Sequence, residues 1–253
     1  MRKLTQKIID KYEKNATDVD WYLLPEKYEL SESFIEKYKD RLDWNLISEH
    51  QKLSEPFIEK YEKKLEWWYI SCYQKLSESF IEKYKDKLDW ERISAYQKLS
   101  ESFIEKYQNK VDWCNISLCQ KLSESFIEKY KDKVDWDAIS GWQRLSEQFI
   151  EKYKDYVNWD MISRGQKLPE EFIEKYKDYV DWYGISAYQT LSESFIIKMK
   201  NYINFNEINK QDEEKITINI INNCYEYINK DLIKNKLKNK NISNEIRLYY
   251  EVK

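Results

Sequence analysis

The sequence predicts an all-α solenoid, an αα-hairpin superhelix of nine 23-residue repeats with an irregular C-terminal cap. Three observations predict it. Tryptophan stands at positions 21, 44, 67, 90, 113, 136, 159 and 182, each 23 residues after the last, and Phe205 takes the ninth place. Apolar residues inside each period recur at helical spacing. A short acceptor side chain precedes nearly every Trp. A fixed period of ~20 to ~50 residues marks a repeat array in which each unit touches only its neighbours.

Residues 1–29 read as an N-terminal capping repeat, 30–205 as the regular array and 206–253 as a C-terminal cap. In the first unit, Leu4 to Tyr12 matches Leu30 to Tyr38 after a three-residue insertion around Asn15-Ala-Thr17, and Pro25 interrupts the second helix. Terminal repeats are expected to be atypical, because one face meets water.

Within a regular unit, Phe34, Ile35, Tyr38 and Leu42 fall at about 0°, 100°, 40° and 80° on a helical wheel. That is an amphipathic first helix with Ser31 as N-cap. Pro56 and Pro169 fall in the first turn of their helices, where a missing N–H costs little. Asp20, Asp43, Glu66, Asp89, Asp112, Asp135, Asn158, Asp181 and Asn204 stand just before the aromatic position and read as N-caps of a second helix. In that helix Trp44, Ile47, Ser48 and Gln51 share the inward face. The recurring Gln is expected to hydrogen-bond helix ends of the adjacent unit. After Phe205 the repeat marks fade. Ile220, Ile221, Cys224, Tyr225, Ile228 and Leu232 keep helical spacing, and Ile246 to Val252 alternates like a strand but also fits a helix.

Charged residues make up 35% of the chain but nearly cancel, to a net charge of −3. That balance argues against a dedicated nucleic-acid or anionic-membrane binder. No apolar run reaches signal-peptide or membrane-span length. The four cysteines match neither a disulfide framework nor a metal spacing. The expectation is a cytoplasmic monomer with no membrane partner, no cofactor and no metal. His50, the only histidine, has no nucleophile pattern around it. Every acid and hydroxyl recurs in one place per unit, whereas an active site needs different groups converging once. No catalytic residue is assigned.

Comparing the repeats with one another locates a candidate surface. The first helix barely varies, even at its outward positions. The second varies one, two, five and six residues after Trp, at about 100°, 200°, 140° and 240° on the wheel, opposite the inward face. Those positions hold aromatics with an Arg, as an interface core does. Trp68, Tyr69, Tyr73, Arg92, Tyr96, Trp142 and Tyr188 are the candidate partner-binding residues. Packing against neighbouring units, or drift at tolerant positions, would also produce the variation.

The string Leu-Ser-Glu-x-Phe-Ile-Glu-Lys-Tyr-x-Asp-x-Val-Asp-Trp-x-x-Ile-Ser-x-x-Gln-Lys resembles a short repeat of uncharacterised giant-virus and bacteriophage proteins. The resemblance covers Leu30 to Thr190 and the first unit loosely. It implies a viral or mobile-element origin and action on a host component. Two functions follow as expectations: a non-enzymatic scaffold that binds a host or viral protein through the variable face, or a single-stranded RNA or nucleotide-binding repeat protein.

Overall fold

The computed structural model describes residues 1–15, 17–211 and 217–228. They form two compact units, Met1–Val134 and a second that begins at Asp135. Both are stacks of helix pairs, the all-α solenoid architecture that the period predicts. In the first unit the pairs run from Glu32–Lys37 with Trp44–His50 to Glu101–Lys106 with Trp113–Cys119, followed by Glu124–Lys129. In the second, Trp136–Trp142 is followed by pairs ending with Glu193–Lys198 and Phe205–Gln211. Consecutive second helices pack directly on one another within each unit.

The first helix is shorter than the wheel suggests. It ends at Lys37, and Tyr38 leaves the helical region at φ −115°, ψ 20°. The chain then turns, with the Arg41 N–H donating to the Tyr38 carbonyl, and delivers Leu42 to the core from outside the helix. The next Trp secures that turn. The Trp44 indole N–H donates to the Lys39 carbonyl at 3.0 Å, and Trp67, Trp90, Trp113, Trp159 and Trp182 repeat the bond. A carbonyl left over at a helix end must find a donor, and here the indole supplies it.

Most of the expected caps form. Ser31 accepts from the Phe34 N–H, and Asp43 from the Leu46 N–H at 2.7 Å. Three do not. Glu66 has the cap backbone conformation but makes no side-chain cap bond, because its longer side chain is poorly suited to that turn. Asp20 lies inside its helix, and Thr17 caps instead in a reciprocal capping box with Asp20. Pro169 sits at the cap position itself, not in the first turn, and has no side-chain acceptor to offer. Pro25, as expected, splits the second helix of the first unit, into Asp18–Tyr22 and Leu24–Lys27.

Three sets of polar bonds join each repeat to the one before it. The Gln97 carboxamide accepts from the Leu76 N–H at 3.0 Å and donates to the Ser71 and Gln74 carbonyls at 3.0 and 2.8 Å. These are the orphan carbonyls at the end of the previous second helix. The buried Ser48 hydroxyl donates to the Trp44 carbonyl and accepts from the Glu66 N–H of the next repeat. On the first helices, Lys60 pairs with Glu36, Lys83 with Glu59 at 2.7 Å and Lys175 with Glu151 at 2.6 Å, always one repeat apart. Between these polar layers run Ile47, Ile58, Ile70, Ile81, Ile93 and Ile104, all with no exposed surface. At ~25 cal/mol per Å², full burial of each contributes about 2–3 kcal/mol.

The ends depart from this scheme. Arg2–Lys3 and Tyr28–Glu29 pair as a two-residue parallel strand, a feature the period does not announce. Trp21 is fully buried, and its indole N–H has no partner among the described residues. At the other end, Ile218–Cys224 is more than a capping helix. Thr217, Ile220, Ile221, Cys224 and Ile228 reproduce the spacing of Ser31, Phe34, Ile35, Tyr38 and Leu42. Thr217 accepts from the Ile220 N–H as the repeat Ser does, the four apolar residues are buried, and the helix packs on Glu193–Lys198. It is the first helix of a further repeat, displaced by two residues. Leu232, the Lys230 to Lys240 tract and the Ile246 to Val252 segment lie outside the described residues.

Candidate functional site

Stacking decides which side chains a second helix leaves in water. Two residues after Trp, the expected outward position is covered: Ala138 and Gly184 are buried, and Leu46, Tyr69, Arg92, Asn115 and Met161 are half-buried. The cover is the neighbouring second helix. A Cβ on Gly184 would lie 2.9 Å from Arg164 Cγ, and one on Gly141 would meet Met161 at 3.6 Å. The position two after Trp therefore packs against the position five after Trp of the preceding repeat, where Cys72 too is buried. The exposed edge is narrower than the wheel implies and consists mainly of the positions one and six after Trp, with Leu118 and Arg164 exposed at position five.

That edge carries large aromatics. Tyr73 is 55% exposed, Tyr96 60%, Trp142 71% and Tyr188 60%, with Trp68 and Tyr183 also exposed. In the first unit four candidate residues meet. Trp68 and Tyr69 pack edge to face with centroids 5.1 Å apart, Tyr69 and Tyr73 stack at 6.1 Å, and the Arg92 guanidinium lies 5.4 Å from the Trp68 ring centre. Arg92 also pairs with Glu91 at 3.4 Å, and its buried Nε has no hydrogen-bond partner among the described residues. The Glu49 carboxylate beside Tyr69 raises the phenol above its ordinary pKa, with burial and a hydrogen bond to Glu49 adding to the shift. The same Glu49 lies 3.7 Å from His50. Tyr96 lies on the same second helix as Arg92, four residues on, and among the described residues makes no ring contact with the cluster. Trp142 and Tyr188 belong to the second unit, where Gly165 occupies the equivalent place in the intervening repeat.

The second unit also exposes a row absent from the candidate set. Three residues after the Tyr that ends the first helix, the first unit carries Arg41, Lys64, Lys87, Lys110 and Lys133. Each lies over the Trp of the preceding repeat at 4.4 to 5.9 Å. In the second unit the position becomes Tyr156, Tyr179 and Tyr202, whose rings sit 5.3, 5.3 and 5.0 Å from Trp136, Trp159 and Trp182. These tyrosines remain 41–48% exposed. The Lys-to-Tyr change was visible in the repeat comparison, but it falls in a stretch that reads as constant helix.

The constancy of the first helix has a structural cause. Its Ser caps, its first Glu accepts from the next repeat's cap N–H (Ser100 to Glu78 at 2.6 Å), and its second Glu and its Lys form the inter-repeat ion pairs. Constancy there does not show that the second-helix variation is functional, so the weight rests on exposure and contact. Among the described residues no three His, Cys, Asp or Glu side chains gather as a metal site. Among them, also, no helix is long and apolar enough to cross a membrane. Cys114 and Cys119 are exposed. No protein-family model, no curated protein and no solved structure matches the chain.

Proposed function

We propose that the chain is a non-enzymatic repeat scaffold that holds a protein partner on the exposed edge of its second helices. The observation that carries this reading is the set Trp68, Tyr73, Tyr96, Trp142 and Tyr188, large rings left in water on helices whose other faces are engaged in stacking. Trp, Tyr and Arg dominate binding energy at protein interfaces, because they bury much area at little conformational cost. The Trp68, Tyr69, Tyr73 and Arg92 cluster supplies such an anchor, already ordered by its own ring contacts. In this reading the protein works as a cytoplasmic monomer, a viral or phage factor acting on a host component.

Affinity capture from host lysate with the purified chain tests it, with a nuclease-treated arm and the variant Y73A/Y96A/W142A. One dominant protein that survives nuclease and is lost with the variant is the expected result. Capture unchanged by the three substitutions, at unchanged helicity, sinks the reading.

Single-stranded RNA is the second reading. One observation favours it: unpaired lysines stand close in sequence to the exposed rings. Against it, the rings of the first-unit cluster pack on one another instead of offering free stacking faces, and Glu49 and Glu91 lie among them.

A further inference from the structure

The lysines of the repeat divide by whether they have partners. Those ending the first helix pair with a Glu one repeat back, and those in the turn lie over a Trp ring. A third position, directly after the locked Gln, holds Lys52, Lys75, Lys98 and Lys121 in the first unit. All four are exposed, and among the described residues none makes an ion pair, a hydrogen bond or a ring contact. Among the described residues no contact accounts for a cation recurring there.

The backbone under these lysines is fixed. Each follows a Gln whose side chain is buried in the previous repeat and precedes a buried Leu: Gln51 and Leu53, Gln74 and Leu76, Gln97 and Leu99, Gln120 and Leu122. Two residues earlier stands the last residue of the second helix, Tyr73 and Tyr96 in the two central repeats. The first unit therefore carries one exposed ammonium group without an ion pair in each of four successive repeats, with exposed tyrosines two residues earlier in the chain in the two central ones. Of the nearby carboxylates, Glu49 faces His50 and Tyr69, Glu91 faces Arg92, and Glu32, Glu55, Glu78 and Glu101 each accept from the backbone N–H two residues after a Lys of the row, without an ion pair to it.

A single file suits a linear anion. Packed helices lie ~8–10 Å apart. An extended peptide advances ~3.1–3.4 Å per residue, so every third side chain returns after ~9–10 Å. Carboxylates spaced three apart would meet one Lys per repeat, and intervening prolines or apolar residues would rest on Tyr73 and Tyr96.

We propose that the row Lys52, Lys75, Lys98, Lys121, with Tyr73 and Tyr96, takes an extended acidic peptide segment whose carboxylates recur every third residue. This inference rests on the scaffold reading and names the chemistry of the partner.

Fluorescence anisotropy on the full chain tests it, with a labelled four-fold Glu-Pro-Ala peptide as probe. Controls are the same peptide with Gln for Glu, one with its four Glu contiguous, oligouridylate of similar length, and vesicles of mixed phosphatidylserine and phosphatidylcholine. The protein variants are K52Q/K75Q/K98Q/K121Q and Y73A/Y96A. All the substituted side chains are exposed, and circular dichroism checks the fold. The spaced Glu peptide is expected to bind, to weaken about tenfold or more with the quadruple Lys variant, and to weaken further with added salt. The Gln and contiguous peptides should bind less well, and Y73A/Y96A should weaken the spaced peptide.

No binding of the spaced peptide, or equal binding of the Gln peptide, overturns the inference. So does tighter, Lys-dependent binding of oligouridylate or of the vesicles. Lysate capture separates the two levels. A partner lost with Y73A/Y96A but retained by the quadruple Lys variant removes this inference and leaves the scaffold reading standing.

Discussion

Tyr96 and Gln97 are adjacent in the chain and have opposite jobs, which makes them the sharpest test of the architecture. Replacing Gln97 with Leu keeps the volume and removes three buried hydrogen bonds, those to the Leu76 N–H, the Ser71 carbonyl and the Gln74 carbonyl. Each buried group left without a partner costs about 1–3 kcal/mol. Leu recovers part of this through apolar burial at ~25 cal/mol per Å², so the net loss should be about 3 kcal/mol. Tyr96→Ala removes a ring that is 60% exposed and should cost under about 0.5 kcal/mol. Urea unfolding gives the two values. Amide hydrogen exchange gives a local reading that survives if the array does not unfold in one step. The Leu76 amide should lose protection in Gln97→Leu and keep it in Tyr96→Ala. A Gln97→Leu protein within about 1 kcal/mol of wild type, with Leu76 still protected, would refute the claim that the Gln carboxamide locks one repeat to the next.

Three further outcomes are expected. A Cβ on Gly165 would lie 2.3 Å from the Gly141 carbonyl oxygen, so Gly165→Ala should force two second helices apart and cost about 2 kcal/mol or more. Gly141→Ala meets only Met161 at 3.6 Å and should be neutral or stabilising; equal melting temperatures for the two variants would contradict this packing. Glu66→Asp restores the missing cap and should stabilise by about 0.5–1 kcal/mol in urea unfolding, whereas a loss would show that the backbone there does not accept a cap. For pH, hydrogen bonds from Lys60, Lys106 and Lys175 hold Glu36, Glu82 and Glu151 below the ordinary carboxyl value of 4.5, so their stabilisation is present above that value and fades as pH falls through the lowered ones. The same bonds raise the lysines above 10.5, so that contribution is complete below 10.5 and fades as pH rises through the raised values. The melting temperature should stay flat from about pH 5 to about pH 10, fall on both sides, and respond less in high salt; a fall centred near neutrality would contradict the assignment.

What repeats in the chain was legible, because repetition averages out local noise. The Trp period, the Ser and Asp caps and the backward-reaching Gln follow from residue types at fixed spacing, and the structure contains them. Three things were not legible, each for a physical reason. A helical wheel places Leu42 on the apolar stripe whether the chain reaches it by helix or by a turn that keeps the same face inward, so the end of the first helix at Lys37 left no mark. The wheel of one helix also says nothing of how closely the next one approaches. Tyr69, Arg92 and Gly184 are covered by a neighbour, and the residues that stay in water lie mainly one and six after Trp. The further repeat at Thr217 escaped because its residues are Thr, Ile, Ile, Cys and Ile, and two extra residues precede it; only its spacing survives.

Net charge speaks only for the sum. A total of −3 argues against an anion-binding surface only if acids and bases are spread alike. Here they are not. The aspartates before Trp44 and Trp90 accept from helix N–H groups, acids of the first helix hold the next repeat's cap N–H or its Lys, and Glu49 and Glu91 face His50, Tyr69 and Arg92. In four repeats of the first unit the position after the Gln holds a Lys that, among the described residues, has no ion pair. What a ligand meets is the charge that folding leaves unpaired, and in the first unit that is a line of four lysines beside two tyrosine rings. A chain can therefore be acidic in sum and present a basic track, and only the bookkeeping of contacts, residue by residue, separates the two.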